Sequence, residues 1–69
     1  MKIYSIVDEF SINDKKIAVL NEKRAFQDYN TQNVLVGGKK IPYSLTHNEL
    51  WIMLQTDETL LGKEVTFTN

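Results

Sequence analysis

Apolar and polar residues alternate along most of this chain. In Glu64-Val65-Thr66-Phe67-Thr68 the apolar side chains fall on one face and the polar ones on the other. Ile41, Tyr43 and Leu45 alternate with Lys40, Pro42 and Ser44, and Leu50, Ile52 and Leu54 alternate with Trp51, Met53 and Gln55. Ile17 shares a face with Val19, and Phe10 with Ile12. A period of two is the mark of half-buried strands. Val, Ile, Thr, Tyr and Phe also suit a pleated surface. The pattern predicts strands at 2–7, 9–13, 15–20, 33–36, 39–45 and 49–55, closed by 63–68. The first two read as one long bent strand, which makes six in all.

The turns agree with this. Gly37-Gly38 separates Val34-Leu35-Val36 from Lys39-Lys40-Ile41. Two glycines between apolar runs predict a type I′ hairpin, whose two central residues both need positive φ. Asn13-Asp14 sits between Ile12 and Lys15-Lys16-Ile17 and predicts a second hairpin, since Asn and Asp tolerate the left-handed region. Segment 21–32 is open between a helical turn near 22–29 and a polar loop pinned by Phe26 and Tyr29. Several short strands with little helix predict an all-β fold, a small six-stranded barrel with room for one short helical turn. Closure would also remove the strand edges that otherwise pair with other chains. Lys15-Lys16-Ile17, Lys39-Lys40-Ile41 and Lys63-Glu64-Val65 recur 24 residues apart. We read them as three similar turn exits rather than a repeat array, which needs closer self-similarity.

Certain of these segments are similar to a known family. Val7-Asp8-Glu9-Phe10-Ser11-Ile12, a turn, then Ile17-Ala18-Val19-Leu20 resembles the opening of the second domain of elongation factor Tu. Asn33-Val34-Leu35-Val36-Gly37-Gly38-Lys39-Lys40-Ile41 resembles that family's glycine-tipped hairpin. Ile52-Met53-Leu54-Gln55 and Leu60-Leu61-Gly62-Lys63-Glu64-Val65 resemble its closing strands. The resemblance implies a translation-protein barrel, which in that family helps hold the acceptor end of transfer RNA. Two departures stand against carrying the function over. Asn13-Asp14-Lys15-Lys16 fills a turn that is glycine-rich in the family, and the chain has no Gly-x-x-x-x-Gly-Lys-Ser/Thr phosphate loop. No contact residue is transferred.

Length and charge narrow the picture further. With 69 residues the chain is one domain, 1–69. A domain this small buries only about 60% of the surface its unfolded chain exposes. It has no cysteine, so neither disulfides nor thiolate metal ligands help. Eight Lys and Arg against nine Asp and Glu give a net charge of −1. That balance argues against nucleic-acid binding driven by overall charge. No window approaches the ~20 apolar residues of a membrane-spanning helix, and Asp8-Glu9 interrupts the N-terminal apolar run. The expected compartment is the cytoplasm, with no membrane partner.

Candidate chemistry is sparse. His47 is the only histidine. With Ser44 and Asp57 it offers the residue types of a nucleophilic triad, but a triad is defined by geometry and the spacing enforces none. An exposed loop histidine is the expectation. One histidine with scattered carboxylates also lacks zinc-ligand spacing. Asp8 and Glu9, as strand neighbours, should point to opposite faces. We therefore expect no catalytic residues, no metal and no cofactor. Two surface candidates remain. Trp51 and Met53 lie out of phase with Leu50, Ile52 and Leu54. They form either a second core under segment 21–32 or an apolar patch for a protein partner or a second copy. Lys15, Lys16, Lys39 and Lys40 flank the hairpin tips and form a candidate nucleic-acid patch, with Tyr4, Tyr43 or Trp51 to stack bases. Solubilising turn lysines are the simpler account. The expected function is a non-catalytic interaction module, ahead of an RNA- or ribosome-associated barrel.

Overall fold

The alternation resolves into six strands in a computed structural model that describes residues 2–69. They are β1 (Tyr4–Ile12), β2 (Lys15–Leu20), β3 (Asn33–Val36), β4 (Lys39–Leu45), β5 (Trp51–Leu54) and β6 (Glu64–Thr68). Every pairing is antiparallel, and the order β1-β2-β5-β4-β3-β6 closes on itself through β6 and β1. The fold is thus an all-β closed barrel. The inward-facing members of each alternating set make one core: Tyr4, Ile6, Ala18, Leu20, Val34, Val36, Ile41, Ile52, Leu54, Val65 and Phe67. Leu60, from the loop before β6, plugs it. Fully buried side chains such as Ile52 and Leu54 each contribute about 2 kcal/mol.

Two strands serve both halves of the barrel. β1 pairs with β6 at Tyr4 and Ser5, then with β2 from Ile6 to Ile12. β4 pairs with β3 up to Pro42, then with β5 from Tyr43. The 2–7 and 9–13 segments are the one bent strand, β1. Its bend is a bulge between Ile6 and Asp8, where the pairing with β2 shifts register. An extra residue in one strand rotates all that follows. Beyond the bulge Glu9 faces inward opposite Ala18, and Phe10 faces outward opposite Ile17. Asp8 and Glu9 therefore point apart, as strand neighbours should.

Both predicted hairpins form. Gly37 (φ 60°) and Gly38 (φ 82°) take the two positive-φ places of the turn between β3 and β4. In the β1–β2 turn Asn13 alone is left-handed (φ 56°). Segment 21–32 is irregular apart from a 3-10 turn at Phe26–Asp28. Its pinning residues are not those the sequence suggests. Phe26 is 87% exposed and Tyr29 55%, whereas Asp28 is buried. The helix long enough to matter does not form, because a few residues cannot offset the cost of nucleating one.

Gly38→Ala should cost about 1–2 kcal/mol, read as a lower urea midpoint with unchanged slope. Gly38→Asn should cost less, because asparagine visits the left-handed region more readily.

Candidate functional site

Three surface regions carry the candidate residues. The first is the outside of β1, β2 and β5. Strand register lays Phe10, Ile17 and Met53 side by side across the three strands, with Val19 and Trp51 paired next to them. The Phe10 and Trp51 rings meet edge to face, 4.9 Å apart at 77°. Such pairs contribute about 1 kcal/mol beyond their burial. Ile17 faces away from the barrel core yet is only 1% exposed, flanked by these larger side chains. Trp51 and Met53 are half-buried, and Ile12 extends the apolar strip at 45% exposure. The partner ring on Trp51 comes from β1, not from segment 21–32.

The second region is the end of the barrel where both hairpin tips lie. Glu58 links them: its carbonyl accepts from Lys16 Nζ at 2.6 Å and its carboxylate pairs with Lys39. Lys16 also pairs with Glu9 at 3.2 Å. Lys40 donates to the Asn69 carbonyl at 2.8 Å. Lys15 makes no ion pair among the described residues. Glu9 itself accepts from the backbone N–H groups of Leu60 and Leu61. Burial pushes its carboxyl pKa up, but the two amides and Lys16 outweigh this and hold it below the ordinary 4.5. Only the alternation set by the bulge brings Glu9 to this position.

The third region is the opposite end, where segment 21–32 crosses as a strap. Tyr4 Oη, wholly buried, donates to Asp28 Oδ2 at 2.7 Å and accepts from the Ala25 N–H at 2.7 Å. Burial raises the Tyr4 pKa, aided by Asp28, so the hydroxyl stays a donor. Tyr43 Oη donates to the Thr31 carbonyl at 3.0 Å and accepts from Arg24 Nη1 at 3.1 Å. Both tyrosine rings pack edge-on to Phe67, at 5.2 and 5.0 Å. An open groove of about 250 Å³ lies beside the strap, lined by Arg24, Tyr29, Leu45, Thr46 and Asn48 with the Lys23–Glu49 ion pair.

The structure places the sequence candidates unevenly. Trp51 and Met53 are brought together with Phe10, for which the sequence pattern shows only a shared face with Ile12. The four lysines do gather at one end, but Lys16 and Lys39 arrive already paired. Tyr4 is a core residue rather than a stacking platform, and Tyr43 is half-buried under the strap. His47 lies in the loop before β5 and Asp57 in the loop after it, at opposite ends of the strand, so Ser44, His47 and Asp57 form no triad. No cluster of three or more His, Asp or Glu able to hold a metal occurs among the described residues. None of the described helices is long and apolar enough to cross a membrane. The strap residues Arg24, Phe26 and Tyr29 were missed as candidates. Their one sequence signal is two aromatics and an arginine in a stretch with no strand alternation. Comparison with protein families, curated proteins and solved structures finds no match for the chain.

Glu9→Ala should cost about 2 kcal/mol at neutral pH, since it strands two amides and removes the carboxylate paired with Lys16, with Glu9→Gln intermediate. The folded pKa of Glu9 is lowered, so its contribution is complete above 4.5 and fades as pH falls through the folded value. Urea denaturation across that range should show wild type and Glu9→Ala converging in acid.

Proposed function

We propose that this protein is a non-catalytic interaction module that docks a protein surface onto the outside of β1, β2 and β5, the simplest partner being a second copy of itself. The observation that carries the reading is the row Phe10, Ile17 and Met53 with Trp51 beside it, an apolar cluster on the wrong side of a barrel whose core is already complete. Aromatic residues and Met are enriched at the centres of interfaces, and charged residues are depleted there. Polar side chains rim this one: Asp8 next to Val19, Lys15 next to Ile12, and Ser44 next to Met53. A closed barrel has no free strand edge to lend, so recognition falls to side chains on a face.

The hairpin lysines support an RNA-binding role less well. Carboxylates already neutralise Lys16 and Lys39, and phosphate binding would have to break both pairs.

Light scattering should show a concentration-dependent dimer whose mass ignores added bulk RNA. Trp51→Ser should give a folded monomer that has lost about 2 kcal/mol of stability. A monomer whose mass rises with RNA in a salt-sensitive way, and no longer rises once Lys15, Lys16, Lys39 and Lys40 become glutamate, would replace this reading with the nucleic-acid one.

A further inference from the structure

The strap end carries an open groove that the sheet-face reading does not use. Its centre is Arg24. The guanidinium lies over the Tyr29 ring at 4.7 Å and spends one N–H on Tyr43 Oη at 3.1 Å. Among the described residues it makes no ion pair, although Lys2, Lys16, Lys23 and Lys39 all do. A half-buried arginine stacked on an aromatic ring has already lost much of its rotamer freedom, so a carboxylate meeting it orders little more. Its free N–H groups suit a carboxylate, which accepts two parallel hydrogen bonds.

The surroundings specify what should flank that carboxylate. Leu45 is 58% exposed and lines the same groove as Arg24 and Tyr29. Phe26, the most exposed large apolar side chain among the described residues, has its ring 5.6 Å from that of Tyr29. Tyr29 and Leu45 thus border a cation without an ion pair, and Phe26 lies on the far side of Tyr29. Nucleic acid would need a track of several cations for successive phosphates. Here Lys23, the neighbouring cation, is bound to Glu49 at 2.8 Å.

We infer that the groove between the strap and the end of β4 binds a linear peptide segment with an Asp or Glu beside a large apolar residue, the carboxylate on Arg24 and the apolar side chain against Tyr29 and Leu45. Arg and Tyr are among the residues that most often dominate binding energy at interfaces.

The test is an NMR titration of the full chain with two pools of end-blocked tetrapeptides. In one pool an Asp or Glu adjoins a Leu, Phe or Tyr; the other carries Asn or Gln in its place. The acidic pool should shift the Arg24 Nε–H and the Leu45 and Thr46 amides, with the neutral pool about tenfold weaker. Arg24→Gln should abolish the difference between pools. Leu45→Ser, a change at an exposed side chain, should weaken the acidic pool while the Tyr43 and Thr31 shifts of the free protein stay in place. Trp51→Ser should leave the titration unchanged, which separates this site from the sheet face. Equal response to both pools, no response at millimolar peptide, or a stronger response to oligouridylate than to acidic peptide would each overturn the inference.

Discussion

β1 is the element on which the rest of the barrel depends, because it alone joins the last strand to the first hairpin. Its first two residues pair with β6 and the remainder with β2, and the bulge after Ile6 lets one strand turn between these directions. A regular strand would keep its alternation throughout. Phe10 would then point inward and Glu9 outward. The extra residue exchanges them. An aromatic ring is delivered to the outer face and a carboxylate to the barrel mouth, from adjacent positions in sequence.

That exchange links the core to the polar ends. A chain of this size, without a disulfide, has little apolar surface to spare. Both barrel ends are therefore closed by loops tied down with hydrogen bonds to buried or half-buried side chains. At one end Glu9 grips the backbone of Leu60 and Leu61 and so seats Leu60 in the core. At the other, the hydroxyls of Tyr4 and Tyr43 reach out of the core and hold Ala25, Asp28 and Thr31 of the strap. No buried side-chain polar atom among the described residues lacks a partner. Leaving one unsatisfied costs more than the bond gains, so these contacts are specific as well as stabilising.

The surface then divides by default. At the hairpin-tip end Glu9 and Glu58 pair two of the four lysines, Lys16 and Lys39. The outer sheet face keeps an apolar cluster, and the strap end keeps Arg24 stacked on the exposed ring of Tyr29. Closure matters here too: with every strand paired, the backbone has little left to offer a partner, and side chains carry the proposed recognition.

The sequence by itself determined the strands, the two hairpins and the barrel class. These follow from local rules: a period of two, and residues able to take positive φ at Asn13, Gly37 and Gly38. It also placed Trp51 and Met53 on the side opposite Ile52 and Leu54. Only the tertiary structure decided the phase of β1. A bulge has no composition of its own, and Val7-Asp8-Glu9 reads as ordinary strand. For the same reason the sequence could not show that Glu9 would seat Leu60 or that Phe10 would meet Trp51. Nor could it show that Asp28 rather than Phe26 would be the buried residue of the strap. Burial of a carboxylate depends on a hydroxyl 24 residues away, and exposure of a phenylalanine depends on a core that is already full. The pairing of Lys16 and Lys39 likewise needed Glu9 and Glu58 to arrive from distant strands and loops. Alternation and turn chemistry are local properties of the chain, whereas charge neutralisation and the filling of a core belong to the closed barrel.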